Sequence, residues 1–257
     1  MCLGNKGKQG SDIGRRFQDE TKYSPDSLSG YTLNYGSIPA TFKEYSNPVA
    51  RIGLPEPKAG GETNIWKLLL RRRSRREYAV NKSLKINDLS ALLWATQGLT
   101  AQFGDTFFRT APSAGGLYPV ETYLYVRSVE GLEEGIYHFR PGDFDLEFIV
   151  KGGYARQLTE AALQQDIIMG AQVTFIWSAV IARGQWKYKQ RAYRYIYLDA
   201  GHIAQNLYLA AEGMGFGVCA IGAFYDDDIN RIMGFDGQEE TVIYMATVGF
   251  KSPDHPL

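Results

Sequence analysis

The chain has 257 residues, of which 44% are hydrophobic and 22% charged, a composition that suits one large folded domain or two small ones. Its 28 basic and 28 acidic side chains give a formal net charge of +0, which argues against general nucleic-acid binding because that function favours a basic domain. Cys2 and Cys219 form no disulfide framework, and no apolar run approaches a membrane span, so we expect a cytoplasmic protein without a membrane segment. Three widely spaced histidines give no metal-ligand spacing.

Residues 1–62 are rich in glycine, proline, serine and asparagine and show no sustained periodicity. Four prolines would interrupt any long element there: Pro39, Pro48, Pro55 and Pro57. We predict an extended N-terminal arm, partly disordered at its very start, with Ile52 and Leu54 lying on the body of the protein. The body is expected to comprise residues 63–257.

The body is predicted to begin with a helix over residues 64–72 that ends in a group of arginines. A second helix is expected to follow Asn87 as its N-cap and to stop at Gly98. Residues 122–126 alternate like a strand, and residues 136–149 read as a β-hairpin that turns at a Pro-Gly-Asp sequence.

Residues 154–165 are predicted to be helical. Two nearly continuous apolar segments, 173–181 and 241–248, are typical of strands that are buried on both faces. Between them a stripe of apolar residues over 203–214 indicates a long helix that a Gly-Met-Gly sequence ends. Helices and strands alternate imperfectly, with a hairpin inside, which indicates an α+β domain with a mixed sheet.

Residues 71–76 read Arg-Arg-Arg-Ser-Arg-Arg, five arginines and one serine in a nearly neutral chain. Guanidinium groups packed together repel one another, so an anion should compensate them. Arginine forks suit phosphate oxygens and a serine hydroxyl adds a donor, which favours a phosphate-bearing ligand. A solvated basic face or a nucleic-acid patch remains the alternative at this stage.

Three further segments could carry chemistry. Residues 112–119 form a loop of small residues that lets a flat ligand approach the backbone, although an ordinary Gly/Pro turn explains them too. Residues 215–224 are glycine-rich but lack the order of a dinucleotide fingerprint, and their cysteine reads as a small core residue. Residues 186–195 alternate cations with aromatics, which suits a substrate pocket, a single-stranded nucleic acid or a plain amphipathic helix.

Two acidic positions have both a functional and a structural interpretation. Asp199 and His202 share a helix face and could form an acid/base dyad, while a structural hydrogen-bonded histidine is the plainer alternative. The triplet at residues 226–228 lacks the glycine and glutamate of a calcium loop, so we predict that it supplies a capping aspartate before a helix that contains Ile229 and Met233.

Taken in order, these segments resemble the nitroreductase-like flavoproteins, most closely the SagB-type dehydrogenase branch that includes the azoline oxidases of peptide-modifying clusters. Four stretches carry the resemblance: residues 71–78, 89–98, 109–121 and 186–222. The resemblance implies a nitroreductase-like α+β fold with a mixed, mostly antiparallel central sheet flanked by helices. It also implies an intertwined homodimer with FMN at the subunit interface.

The resemblance further implies roles for individual residues. The arginine-serine run would hold the FMN phosphate and pyrimidine edge, the small-residue loop of the other subunit would pack on the ring, and a backbone N–H before Ala223 would donate to N5. The residues assigned to the cofactor in this way are Arg72, Arg73, Ser74, Arg76, Pro112, Ser113, Ala114, Gly115, Ala220, Ile221 and Gly222. Lys187 and Tyr188 match an adjacent pair that the azoline oxidases use to deprotonate the substrate carbon.

The predicted activity is therefore hydride transfer between a small-molecule or peptide substrate and FMN. One candidate substrate is an azoline ring in a peptide, which would require a cyclodehydratase partner and oxygen to reoxidise the flavin. The other is a nitro compound or quinone that is reduced at the expense of NAD(P)H. A non-catalytic flavin-binding or RNA-binding protein is the alternative of another class, against which the neutral charge argues in the case of RNA.

Overall fold

The computed structural model describes residues 13–22, 32–57, 64–104 and 106–252. Its helices are α1 (Ile13–Glu20), α2 (Ile65–Arg71), α3 (Ile86–Gln97), α4 (Ala155–Ala161), α5 (Ile167–Gly170), α6 (Ile181–Tyr188), α7 (Ala192–Gly213) and α8 (Asp226–Met233). Its strands are β1 (Ala50–Gly53), β2 (Leu99–Phe103), β3 (Thr106–Arg109), β4 (Val120–Val126), β5 (Gly135–Arg140), β6 (Asp145–Lys151), β7 (Val173–Val180), β8 (Phe216–Ile221) and β9 (Glu240–Phe250). No helix in these four stretches combines the length and the apolar character that a membrane crossing needs.

Seven strands form one sheet in the order β1-β6-β5-β4-β7-β9-β8, and β2 and β3 form a separate hairpin. Every neighbouring pair of strands in the large sheet is antiparallel. Parallel pairing is limited, among the described residues, to isolated bridges such as the one between Ser74 and Val218. The predicted α+β class with a mostly antiparallel sheet flanked by helices is thus confirmed, and no strand of the large sheet in the described residues pairs in parallel.

The two faces of the sheet carry separate hydrophobic clusters, as the alternation along β7 shows. Phe175 and Trp177 point into the cluster that α3 and α7 cover. Ile176, between them, points into the cluster that α4 and α8 cover. Each face therefore buries one set of alternate side chains, which explains why β7 is apolar along nearly its whole length.

Most element predictions are confirmed, and two capping predictions are wrong. The helix α3 has Lys85 as its N-cap and begins at Ile86, so Asn87 lies inside its first turn. In the same way Asp226 is the first residue of α8 and Tyr225 is its N-cap. Three aspartates thus occupy the first turn of α8, where their charges interact favourably with the helix dipole.

The helix predicted over residues 154–165 is shorter than expected. It ends at Ala161, because Leu163 and Gln164 adopt positive φ angles of 56° and 60° that an α-helix does not accommodate. The long helix α7 ends at Gly213 as predicted, with Met214 as its C-cap.

The N-terminal arm contains more structure than the sequence indicated. Its residues 50–53 form β1, the edge strand of the sheet, in which Ile52 pairs with Leu146 of β6. A helix, α1, lies further upstream, while the predicted disordered start falls on residues 1–12, outside the described part. The division between arm and body at residue 62 stays a prediction.

Backbone carbonyls of the arm hold the corner between α6 and α7. The Arg183 Nε–H donates to the Ala40 carbonyl over 2.8 Å, and the Trp186 indole N–H donates to the Asn34 carbonyl over 2.7 Å. Beyond the corner, Arg191 Nη1 donates to the Thr21 carbonyl over 2.6 Å. We refer to described residues 13–22 and 32–45 together as the N-terminal strap.

Candidate active site

The arginine-serine run leaves helix α2 and lies along the edge strand β8. Arg72 is the C-cap of α2, and its N–H donates to the Leu68 carbonyl. The Arg75 N–H then donates to the Val218 carbonyl over 2.8 Å. A Cβ on Gly217 would lie 2.8 Å from the Arg75 Cβ, so only glycine allows the run to approach the strand this closely.

The five arginines of residues 71–76 form no ion pair with a carboxylate in the described part of the chain. The Arg72 guanidinium instead lies 5.2 Å from the centre of the Tyr208 ring, and Arg73 donates to backbone carbonyls of its own segment. The Nε of Arg75 is buried and has no hydrogen-bond partner among the described residues. This cluster of uncompensated positive charge fits a phosphate-bearing ligand such as FMN.

Tyr208 of α7 joins two of the segments that the sequence assigned to the cofactor. Its hydroxyl oxygen lies 3.0 Å from the Ser74 Oγ and accepts a hydrogen bond from the Ala220 N–H over 2.8 Å. The Ala220 N–H is therefore already in use, and Ile221 pairs with Met245 of β9, so Gly222 remains of the three predicted residues as a candidate donor to a flavin N5. Sequence analysis missed Tyr208, for which the only available signal was an aromatic residue with a polar tip beside the apolar stripe of α7.

The small-residue loop is anchored on the same helix, nearer its beginning. The Ser113 hydroxyl donates to Asp199 Oδ2 over 2.6 Å, and the Ala114 N–H donates to Asp199 Oδ1 over 3.2 Å. The Ser113 Oγ in turn accepts a hydrogen bond from the Tyr118 N–H over 3.0 Å. Asp199 thus bonds to the loop and, among the described residues, not to His202, so the acid/base dyad is not formed.

Burial governs the protonation of this carboxyl group. Asp199 is 4% exposed, and burial raises its pKa, while the hydrogen bonds from Ser113 and Ala114 oppose the increase.

Lys187 and Tyr188 lie against the same loop at the end of α6. Gly115 has a φ of 65°, and a Cβ placed on it would lie 2.6 Å from the Tyr188 hydroxyl and 3.0 Å from Lys187 Nζ. The next residue, Lys189, has a φ of 48° and a ψ of −133°, a conformation that is strained for a residue with a side chain. The chain therefore brings the predicted acid/base pair together with Gly115 and holds it at a strained corner.

The environment keeps the Tyr188 phenol protonated. Burial raises its pKa above the ordinary value of 10.0, and the nearby Tyr195 and Asp199 raise it further. At neutral pH Tyr188 is therefore a hydrogen-bond donor and a source of a proton rather than a base.

The predicted residues thus form two clusters and not one. The first contains the arginine-serine run and Ala220 beside Tyr208, and the second contains the loop of residues 112–115 with Lys187 and Tyr188 beside Asp199. Tyr208 and Asp199 are nine residues apart on α7, or about 14 Å along the helix axis. The chain therefore presents the predicted residues as two clusters, which we call half-sites, at two levels of the same helix.

His138 lies outside both clusters, where its ring nitrogens contact Glu121 and Glu147. Cys219 is buried in the core, as predicted, and burial raises the pKa of its thiol. The described residues contain no group of three or more histidine, cysteine, aspartate or glutamate side chains that could hold a metal ion.

Comparison with known proteins places these features in a family. Residues 69–250 match the sequence profile of the nitroreductase family. The chain is 39% identical over 172 residues to a nitroreductase-like protein of Methanocaldococcus jannaschii, an alignment that covers 67% of this chain and 85% of the relative. It is 30% identical over 117 residues to the trifolitoxin-processing protein TfxB of Rhizobium leguminosarum bv. trifolii, covering 44% of this chain and 31% of that one.

Among solved structures, a nitroreductase-like protein of Anabaena variabilis superposes with a TM-score of 0.76 and 29% identity. The match covers 92% of this chain but 46% of the other, so this chain spans about half the length of that protein. The family profile covers both half-sites, from the arginine-serine run to β9. The chain therefore belongs to the nitroreductase family.

Proposed function

We propose that this protein is an FMN-dependent oxidoreductase of the SagB-type branch of the nitroreductase family, which transfers a hydride between a substrate and FMN. The observation that carries the proposal is the arginine cluster of residues 71–76, which has no carboxylate partner in the described part of the chain. A phosphate dianion would compensate this charge, and the neighbouring strand β8 offers a backbone edge along which a flat ring can lie.

In this proposal Arg72, Arg73, Ser74 and Arg76 hold the phosphate and the pyrimidine edge. Bound FMN supplies a position, N5, that accepts or donates a hydride. A guanidinium near the pyrimidine edge stabilises negative charge there and so raises the reduction potential of the cofactor. Tyr208 keeps Ser74 next to β8 through their hydroxyl contact of 3.0 Å.

Lys187 and Tyr188 would handle the proton that accompanies the hydride. In reduction of a quinone, two electrons and one proton arrive as a hydride, and the second proton comes from the protonated Tyr188 phenol to give the hydroquinone. In oxidation of an azoline, one C–H bond breaks to give a proton and another to give a hydride. Lys187, whose Nζ lies 5.6 Å from the centre of the Tyr188 ring, would be the group that takes that proton.

We also propose that a second copy of the chain completes the site. The two half-sites of one chain lie about 14 Å apart along α7, and the family resemblance implies that the loop of a second subunit covers the flavin held by the arginines. The apolar side chains of α2, next to the arginine cluster, support an interface here. Trp66 is 73% exposed and Leu70 is 74% exposed, which is unusual for large apolar residues on a monomer surface.

Two substrate classes have separate support. The 30% identity to a trifolitoxin-processing protein favours a ribosomally made peptide carrying an azoline ring, with a cyclodehydratase as partner. The 39% identity to an archaeal nitroreductase-like protein favours a nitro compound or quinone, with NAD(P)H as electron donor. The peptide assignment is the one we propose first, because the adjacent Lys187 and Tyr188 match the pair found in azoline oxidases.

The test is a visible spectrum of the purified protein followed by anaerobic titration with NADH, NADPH and an azoline-containing peptide. A yellow protein whose flavin is bleached by the peptide supports the azoline oxidase, and bleaching only by a nicotinamide supports the reductase. A colourless protein that takes up no added FMN, yet binds RNA with a steep salt dependence, would contradict both.

A further inference from the structure

Asp199 makes three hydrogen-bond contacts with one loop. The Ser113 hydroxyl donates to Oδ2 over 2.6 Å, and the Ala114 N–H lies 3.2 Å from Oδ1 and 3.3 Å from Oδ2. Because the carboxylate is 4% exposed, water cannot easily replace these donors. The first turn of the loop is therefore fixed to helix α7.

The anchor extends through Ser113 to the other end of the loop. Its Oγ accepts the Tyr118 N–H over 3.0 Å, so one side chain ties residues five positions apart. Between these two points lies Gly115, whose φ of 65° turns the backbone toward α6. The distances from an added Cβ on Gly115 to Tyr188 and Lys187, 2.6 Å and 3.0 Å, show that the loop backbone is in direct contact with both side chains.

We infer that Asp199 is a positioning residue for the reaction. It holds the loop of residues 113–118 so that the backbone at Gly115 forms the wall against which Lys187 and Tyr188 are oriented. The inference rests on the proposed function of Lys187 and Tyr188. It gives Asp199 a role in positioning the loop, in place of the acid/base dyad with His202.

A purely structural carboxylate would stabilise the fold without changing the reaction, so the test must separate the two effects. The Asp199→Asn variant keeps the shape, but it removes the charge and replaces one of the two acceptor oxygens with an NH2 donor. Asp199→Glu restores the charge, and Glu212→Gln on the same helix is the control, because it removes a carboxylate that pairs with Lys251 instead. Ser113→Ala and the double variant with Asp199→Asn complete a mutant cycle.

Two readouts are measured on the FMN-loaded protein. The first is hydrogen exchange of the Ala114 and Tyr118 amides, which should become about tenfold faster in Asp199→Asn if the anchor is lost. The second is the rate at which menadione reoxidises the reduced protein, which should fall roughly 10- to 100-fold at saturating menadione. Asp199→Glu should recover part of the rate, and the losses caused by Asp199→Asn and Ser113→Ala should not add.

Unchanged exchange in Asp199→Asn relative to Glu212→Gln would overturn the inference, and so would faster exchange with a wild-type rate. The Lys187→Ala and Tyr188→Phe variants are run alongside to separate this result from failure of the proposed function. If both of these keep the wild-type rate, the proposed function of the pair fails. If they are slow while Asp199→Asn is not, only the role of Asp199 fails.

Discussion

Tyr208 and Ser74 meet through their hydroxyl oxygens, 3.0 Å apart, although 134 residues separate them in the sequence. The same tyrosine oxygen accepts the Ala220 N–H over 2.8 Å, so helix α7 connects the arginine-serine run to strand β8. Replacing Tyr208 by phenylalanine removes both contacts and leaves the ring under Arg72. We expect the Kd for FMN to rise roughly 2- to 10-fold, the effect of one or two net hydrogen bonds.

Fluorescence titration of the apoprotein with FMN would measure this change. Tyr225→Phe is the matched control, because that ring is largely exposed and lies at the start of α8. An unchanged Kd in Tyr208→Phe would show that the bridge does not shape the cofactor site.

The arginine cluster should determine whether FMN is retained at all. Combining Arg72→Ala with Arg76→Ala removes two guanidinium groups from a cluster that lacks carboxylate partners in the described part of the chain. We expect FMN affinity to fall by at least roughly 100-fold, since each hydrogen bond to a charged group contributes about 1.5–3 kcal/mol. Equilibrium dialysis would measure the FMN affinity, with the exposed Arg231→Ala as the control. Equal FMN affinity in the double variant and in the control would refute the assignment.

Replacing Lys187 by alanine should leave FMN bound, so that the protein stays yellow, but should abolish most of the catalytic turnover. The side chain lies at Gly115 and not in the arginine cluster, so the protein should remain yellow. Loss of the acid/base group should lower the rate of flavin reduction by the true substrate about 100-fold or more. Stopped-flow absorbance under anaerobic conditions measures this rate, and the exposed Lys151→Ala serves as the control. A wild-type rate would contradict the assignment of Lys187.

Glu121 should link stability to pH. It is buried and accepts hydrogen bonds from His138 Nε2 over 3.1 Å and from Arg183 Nη1 over 2.5 Å. The second bond connects it to helix α6. Burial alone would raise its pKa, but the bond from His138 and the charge of Arg183 outweigh that effect and lower the pKa from 4.5 to about 2. The folded state thus binds this proton less readily than the unfolded chain does.

The resulting stabilisation, on the order of 3 kcal/mol, is complete above about pH 4.5 and is lost as the pH falls toward 2. We expect Glu121→Gln to be strongly destabilised at neutral pH, because Arg183 and His138 lose their carboxylate, and to differ less from the wild type at about pH 3. Urea unfolding at both pH values measures the difference. A gap that stays constant with pH would contradict it, and Glu133→Gln at an exposed ion pair is the control.

The sequence predicts local elements well where one periodicity dominates. The strand at residues 173–181 and the end of the long helix at Gly213 were predicted nearly to the residue, because a clear apolar pattern marks each of them, whereas the beginning of that helix at Ala192 was not predicted. The two caps were misplaced because Asn87 and Asp226 suit both the cap and the first turn of a helix.

The candidate site was predictable only in part, for a related reason. The arginines stand out by composition, and Lys187 with Tyr188 by resemblance, whereas Tyr208 looks like an ordinary helix residue and Asp199 was noticed only as a partner for His202. Their importance arises from tertiary contacts with Ser74 and Ser113, at separations of 134 and 86 residues that no local pattern encodes. The strand β1 was missed likewise, because an edge strand of four residues has little periodicity to detect.

The N-terminal strap contacts the α6–α7 corner through three main-chain oxygens, those of Thr21, Asn34 and Ala40, and also through side chains such as Tyr35, whose ring meets Trp186. Every residue type carries a carbonyl, so exchanging the strap's own side chains leaves these three acceptors in place. These three contacts can therefore persist while other side chains of the strap change. Substitutions in the strap of a family member can thus change which substrates reach the site, while the helices α6 and α7 that position the reacting groups stay the same.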